Sequence, residues 1–211
     1  MPTIDGLWHS NDPQMWVAAL ARYWDYVQPA NLALEQSLDR LDLERVRGLD
    51  AQAWYDFLRD EYFRWKYTTP NRYITTSDSL SKHAAEPGGL DALHEIKNQL
   101  LGLDPTQVRA GLAVAIKING LGVAGASGLL SLLYPADFGT VDQFVVKALR
   151  SVNGLPEAQA LAAMKPEGLT ATDGVTLIAV MTRQAAENNR RFGTADWTPR
   201  KIDQVLWTYG R

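Results

Sequence analysis

The sequence contains no cysteine and only three histidines. Without cysteine the chain can form no disulfide, no thiolate nucleophile and no cysteine-ligated metal site. His9, His83 and His94 do not follow a metal-ligand spacing, so we expect them to be surface or packing residues. These shortages exclude thiol chemistry and cysteine-bound metals from the activities of the chain.

Long apolar runs are also missing, because no stretch approaches the roughly 20 residues that cross a membrane. Residues 1–5 lack the basic and apolar regions of a signal peptide. We therefore expect a soluble cytoplasmic protein with no membrane partner.

The chain has no excess of positive charge, with 21 Lys and Arg against 24 Asp and Glu and a formal net charge of −3. This balance is unfavourable for a DNA-binding protein, because neutralisation of phosphates supplies much of such binding. The charge is uneven, however, since residues 104–211 contain 11 basic and 9 acidic residues. The double-glycine motif described next lies in this slightly basic half, although so mild an asymmetry is also typical of an ordinary solvated surface.

The most informative motif is a turn with two glycines one residue apart, Gly120 and Gly122. Glycine permits positive φ and close backbone approach, and the start of a following helix adds the positive end of its dipole. The free amides of such a turn can hold a phosphate. A dinucleotide-binding loop would need a buried strand directly before it, whereas residues 107–118 have the apolar spacing of a helix. The remaining alternative is a plain connection between two helices.

The pattern continues to Asp142, twenty-two residues after Gly120. Together these features resemble the DNA glycosylase superfamily that combines a helix-hairpin-helix with a Gly/Pro-rich loop ending in an aspartate. The resemblance covers residues 104–152, and the family run Leu-Pro-Gly-Val-Gly-x-Lys-x-Ala corresponds to residues 118–126 here. The size of the chain and the absence of a four-cysteine iron-sulfur motif favour the 8-oxoguanine branch.

Two positions depart from the family run. Asn119 replaces the proline, and Ala124 replaces the lysine nucleophile of the bifunctional members. Alanine cannot form a Schiff base, so the resemblance implies a monofunctional enzyme that uses water and leaves the abasic strand intact. Lys117 and Lys147 are the nearby amines in the sequence, and we expect both to point outward.

The resemblance implies roles for further residues. Asp142 corresponds to the catalytic aspartate, which would stabilise positive charge on the sugar or activate a water; the alternative is a plain helix N-cap. No cofactor is required, although Na⁺ or K⁺ at the hairpin fits the carbonyls of Ile116, Ile118 and Leu121. The implied phosphate contacts, for which simple solvation of the lysines is the alternative, are Gly120, Gly122, Ala124, Lys117 and Lys147.

Aromatic residues are abundant, with seven tryptophans and eight tyrosines. A polar loop after a helix end could read a base edge or simply cap helices, and its candidates are Trp65, Tyr67, Asn71, Arg72 and Tyr73. Trp8 and Trp197 are further candidates for a pocket or a wedge. Four other tryptophans lie on helical stripes and are expected in the core: Trp16, Trp24, Trp54 and Trp207.

Apolar residues recur at helical spacing nearly throughout, and no strand pattern of useful length stands out. We predict an all-α, glycosylase-like helical bundle with one unit over residues 1–211, or two subdomains, and the helix-hairpin-helix at about 104–152. Thr198-Pro199 should start the last helix, and residues 67–76 should form a loop. Arg190, Arg191, Arg200 and Lys201 are expected to be solvated charges.

The function predicted from these features is excision of a damaged or modified base from double-stranded DNA by a monomeric glycosylase. A non-catalytic helix-hairpin-helix DNA-binding protein is one alternative, and a helical protein-interaction module is another. The identity of the base, and a role in repair or in defence against foreign DNA, stay open at this point.

Overall fold

The computed structural model describes residues 2–211, which form helices joined by short connections and no strand. The all-α prediction is therefore confirmed for this part of the chain. The α-helices in chain order are α1 Ile4–Trp8, α2 Pro13–Ala21, α3 Leu32–Asp39, α4 Leu43–Arg47, α5 Ala51–Asp56, α6 Phe63–Lys66, α7 Pro70–Ala85, α8 Gly89–Leu101, α9 Val108–Ala115, α10 Val123–Leu133, α11 Gln143–Leu149, α12 Ala158–Ala163, α13 Ala171–Phe192 and α14 Pro199–Gly210.

The last two helices begin at side-chain caps. Thr170 and Asp173 form a reciprocal capping box at the start of α13, which satisfies two backbone N–H groups of the first turn. Thr198 accepts a hydrogen bond from the backbone N–H of Lys201, and Pro199 occupies the first turn of α14. The predicted start of the final helix is confirmed.

The predicted loop at residues 67–76 is wrong in its second half, because α7 begins at Pro70. Proline suits the first turn of a helix, where its missing N–H would have no partner. The hydroxyls of Thr75 and Thr76 donate to the carbonyls four residues earlier. Both hydroxyls therefore find acceptors within the helix and do not prevent it from forming.

Asp12-Pro13 and the apolar spacing that follows predict a helix ending near Pro29, but α2 ends at Ala21. Two single 3₁₀ turns, Trp24–Tyr26 and Pro29–Asn31, replace its second half. This irregular segment places aromatic and polar side chains beside α14, where a regular helix was expected.

A π-helical segment, Phe57–Tyr62, connects α5 to α6. Such widened turns occur frequently at functional sites in proteins. Phe57, Leu58 and Tyr62 are buried along it. The segment leads directly into α6, which carries Trp65 and Lys66.

The hydrophobic core includes buried side chains from Ile4 to Leu206. Trp16 lies inside it, with ring centroids 6.1 Å from Trp8 and 5.4 Å from Trp197. Trp8 and Trp197 are only 5% and 7% exposed, so they are core residues and not pocket or wedge residues. No helix within residues 2–211 is long and apolar enough to cross a membrane.

The four tryptophans expected in the core divide into two pairs. Trp16 and Trp54 are fully buried, as predicted. Trp24 and Trp207 are half-buried, and Trp207 lines a cavity. The core prediction is wrong for this second pair, because helical spacing does not distinguish a side chain that faces the core from one that faces a cleft.

Candidate functional site

Residues 116–122, here called the glycine turn, connect α9 to α10. Gly120 has a φ of 96°, a conformation that side-chain-bearing residues rarely adopt. A Cβ at this position would lie 2.6 Å from the carbonyl oxygen of Thr76 and 3.0 Å from the ring of Phe63. Gly120 is therefore required by the fold itself.

Gly122, in contrast, is required neither by its backbone conformation nor by packing. Its φ of −88° is accessible to any residue, and a Cβ there would meet no atom within 4 Å. It is the N-cap of α10, and no side chain caps this helix start. The first turn of α10 therefore keeps backbone N–H groups without a side-chain acceptor, next to the exposed Gly122.

Two buried side chains hold the glycine turn in place. The hydroxyl of Tyr67 donates to the carbonyl of Gly120 at 3.0 Å, and the backbone N–H of Asn119 lies 3.3 Å from Nδ1 of His83. Burial raises the pKa of Tyr67 to about 12, so its hydroxyl remains a donor at neutral pH. Tyr67 thus supports the glycine turn.

A cavity of about 530 Å³ opens between the α2–α3 connection, the end of α6, the start of α11 and α14. This volume is within the roughly 300–1,000 Å³ of small-molecule sites. One side of the cavity is aromatic. The ring centroid of Trp207 lies 5.5 Å from that of Tyr23, 6.1 Å from Phe144 and 6.3 Å from Tyr26.

Glu35 organises the polar floor of the cavity. It accepts hydrogen bonds from the hydroxyl of Tyr23 at 2.5 Å and from Nε1 of Trp65 at 2.7 Å. The guanidinium of Arg200 lies 3.4 Å from the same carboxylate. Trp65, one of the predicted pocket residues, is therefore held in place at the cavity wall.

Arg200 is only 5% exposed, so the prediction of a solvated charge is wrong for this residue. Its Nη1 donates to Asp203 at 2.9 Å, and the other carboxylate oxygen of Asp203 accepts from the backbone N–H of Thr140 at 2.6 Å. Burial raises the pKa of Asp203 to about 7, while the charge of Arg200 opposes the rise. These contacts tie α14 to the loop before α11.

Asp142 lines the cavity at the start of α11. Its Oδ1 accepts hydrogen bonds from the backbone N–H groups of Phe144 at 2.9 Å and Val145 at 3.0 Å. Its Oδ2 accepts none from residues 2–211. Asp142 is therefore both a helix cap and a cavity residue, because capping uses one oxygen and leaves the other available.

Lys66 also lines the cavity, and sequence reasoning missed it. Desolvation by burial lowers its pKa, while the charges of Asp142 and Asp203 oppose the shift. The aromatic run around Lys66 was visible in the sequence. A lysine between aromatics could equally have pointed to solvent, so only the fold places this amine beside Asp142.

Helix α10 joins the glycine turn to the cavity. Its Ser127 hydroxyl accepts from the backbone N–H of Val141 at 2.9 Å, and Ser131 lies 3.0 Å from the hydroxyl of Thr140. These contacts anchor the segment that presents Asp142. Helix α10 thus begins at the glycine turn and, through these two serines, holds the segment that carries Asp142, although no residue of α10 lines the cavity itself.

Other predicted site residues lie elsewhere. Asn71 and Arg72 are exposed on the first turn of α7 and Tyr73 is half-buried, and none of them lines the cavity; Tyr67 lies outside it as well. Of the pocket residues predicted from the sequence, therefore, only Trp65 lines this cavity.

The two lysines predicted to contact phosphate are exposed, as expected for surface amines. Lys117 donates to the side chain of Gln99 at 2.9 Å, and Lys147 donates to the carbonyl of Arg211 at 3.3 Å. Ala124 is half-buried in the first turn of α10.

The three carbonyls considered for a monovalent cation lie in the glycine turn. That of Ile118 accepts from the backbone N–H of Leu121 at 3.0 Å. The carbonyls of Ile116 and Leu121 accept no hydrogen bond from the described residues. Two carbonyl oxygens thus remain available, and oxygen is the donor atom that hard cations prefer.

Comparison of the chain with protein-family models, with curated proteins and with solved structures found no match. Its function is therefore inferred from its own residues and their geometry.

Proposed function

We propose that this protein is a DNA glycosylase that hydrolyses the N-glycosidic bond of a damaged or modified base in double-stranded DNA. One observation carries the proposal: α10 begins at a glycine turn that is open to an anion, and the same helix supports a carboxylate in a cavity of base-accommodating size. A base-excising enzyme needs both features, because it must hold the DNA backbone while a base leaves the stack.

The glycine turn would bind a phosphate next to the extruded nucleotide. Gly122 adds no side chain to this surface, and the amides of the first turn of α10, including Ala124, point toward the helix start. Lys117 and Lys147 would add positive charge. Such localised contacts allow DNA binding by a chain whose net charge is −3.

The cavity would receive the base between aromatic faces. Trp207 and Phe144 offer π surfaces, and the Glu35 network fixes Trp65. Planar bases stack on such surfaces, with polar groups reading their edges.

Asp142 would act on the sugar. Departure of a base leaves positive charge on C1′, and a carboxylate held against that charge lowers the barrier. The two hydrogen bonds to Oδ1 fix the side chain before the substrate arrives, and Oδ2 faces the reaction. Because Ala124 has no amine, we assign base removal to water assisted by this carboxylate.

The carbonyls of Ile116, Ile118 and Leu121 would hold the Na⁺ or K⁺ that the resemblance implies. The ion would supply positive charge between the turn and a phosphate. No step of base removal depends on it.

The test is release of free base, measured by mass spectrometry after incubation with a panel of duplexes that carry oxidised, alkylated or enzymatically modified bases. We expect one class of base to be released and monomeric protein to bind the duplexes with a strong salt dependence. Salt-dependent binding without base release would support the non-catalytic DNA-binding alternative. Absence of salt-dependent binding would leave the protein-interaction alternative.

A further inference from the structure

We infer that Lys66 is an imine-forming nucleophile, and that it gives the protein a second activity: cleavage of the DNA strand at an aldehyde-bearing abasic sugar. The identity of this substrate rests on the proposed function, because an abasic sugar is the product of base removal. The ability of the Lys66 amine to form an imine with an aldehyde does not depend on the proposed function.

The position of Lys66 sets it apart from the other six lysines. Its side chain reaches the cavity that contains Asp142. Its ammonium makes no hydrogen bond or ion pair with any residue between 2 and 211. Lys97 is the useful contrast: it is more deeply buried than the half-buried Lys66, but its Nζ donates to the carbonyls of Arg47 and Leu49 and it does not line this cavity.

Helix α10 provides the space for this side chain. A Cβ at Gly128 would lie 3.3 Å from Cδ and 3.4 Å from Cε of Lys66, and 2.9 Å from the hydroxyl of Tyr62. The lysine stem therefore lies across a glycine in the middle of a helix. Glycine destabilises the middle of a helix relative to alanine, and the close approach of Lys66 and Tyr62 explains why it stands at this position.

The surroundings of Lys66 make its neutral amine more accessible than that of a solvated lysine. Burial lowers the pKa of Lys66, and the positive charges of Arg200 and Arg72 act in the same direction; Asp142 and Asp203 oppose them. The free amine is the nucleophilic form, and a desolvated lysine near cationic groups is a known way to activate it.

The proposed steps balance without an oxidant or reductant. The amine lone pair attacks C1′ of the ring-opened sugar and a C–N bond forms; the C1′ oxygen then leaves as water, and one proton taken up from solvent gives the protonated imine. The proton on C2′ passes to the free oxygen of Asp142, and the C3′–O bond breaks to release the phosphate as the leaving group. Water then hydrolyses the imine, which frees the unsaturated aldehyde and regenerates Lys66.

The test uses the full chain and a duplex with a preformed abasic site, so that base removal is not required. Borohydride reduces an imine to a stable covalent bond, and digestion of the trapped complex with mass spectrometry identifies the amine. We expect trapping of the parent protein at Lys66, strand cleavage without alkali, and loss of both to the protein-free background in Lys66→Gln and Lys66→Arg. The control variant Lys165→Gln changes an exposed lysine outside the cavity and should behave as the parent.

Thermal unfolding of each variant separates lost chemistry from lost fold. Should Lys66→Gln not fold, the peptide map of the trapped parent still identifies the amine. No trapped parent complex, or a complex formed through another lysine, would overturn the inference. Trapping at Lys66 combined with no base release from any duplex would instead uphold this inference and overturn the proposed glycosylase.

Discussion

The glycine turn and the cavity offer a ligand opposite kinds of surface. The turn offers backbone groups, and its exposed Gly122 keeps side chains away from them. The cavity offers side chains that converge from segments as distant as Tyr23 and Trp207. A phosphate, which is the same in every nucleotide, is suited to the first surface, whereas a base that must be distinguished from others needs the second.

This contrast extends to the two glycines of the turn itself. Gly120 is constrained by its own backbone and its neighbours, while Gly122 is unconstrained in the free protein. Substitutions can therefore separate folding from ligand binding within three residues. The following changes test the division between turn and cavity, from the largest expected effect to the smallest.

Asp142→Asn should reduce base release about 10²–10³-fold, because a charge that stabilises the transition state is worth roughly 3–4 kcal/mol. The free energy of unfolding should change little, since Asn caps helices about as well as Asp. Single-turnover base release and urea unfolding measure the two effects. The exposed Asp196→Asn is the matched control, and a destabilised variant with full activity per folded molecule would make Asp142 a structural cap.

Gly120→Ala should lower the free energy of unfolding by about 3 kcal/mol, because alanine is strained at positive φ and its Cβ would clash with the carbonyl of Thr76. Urea unfolding checks this value. Unchanged stability would show that the turn can adopt another conformation, and the two glycines would then lose their separate roles.

Gly122→Val should lower the free energy of unfolding by no more than about 1 kcal/mol, because space is available for its side chain while valine caps a helix start less well than glycine. Its affinity for duplex DNA should fall by about 1–3 kcal/mol, the range for lost hydrogen bonds to a charged group. Fluorescence anisotropy across a salt series measures the loss. Equal affinity of variant and parent at every salt concentration would remove the turn from the DNA interface.

Tyr67→Phe should cost about 1 kcal/mol of stability, because it deletes one hydrogen bond and leaves the Gly120 carbonyl without that donor. DNA affinity should fall only slightly, since the backbone amides of the turn remain. Urea unfolding and anisotropy test the two parts. A loss of affinity as large as that of Gly122→Val would show that Tyr67 positions the turn for its ligand.

The turn could be predicted from the sequence because its residues are consecutive and its glycines report backbone conformation directly. The start of α14 at Thr198-Pro199 could be predicted for the same reason. The cavity could not, because its members are brought together only by tertiary packing. Lys66, Arg200 and Trp207 show the difficulty: each has a sequence context that fits either the core or the surface, and the fold places all three in one cleft.

The most direct test of the central claim is the affinity for two duplexes that carry uncleavable abasic sugars, one a cationic pyrrolidine and the other a neutral tetrahydrofuran. The cationic sugar resembles the charged transition state, which an enzyme binds more tightly than its ground state. We predict that the parent prefers the cationic sugar, that Asp142→Asn abolishes the preference, and that Gly122→Val weakens binding to both duplexes equally. Equal affinity of the parent for the two sugars would contradict the assignment of this cavity to base excision.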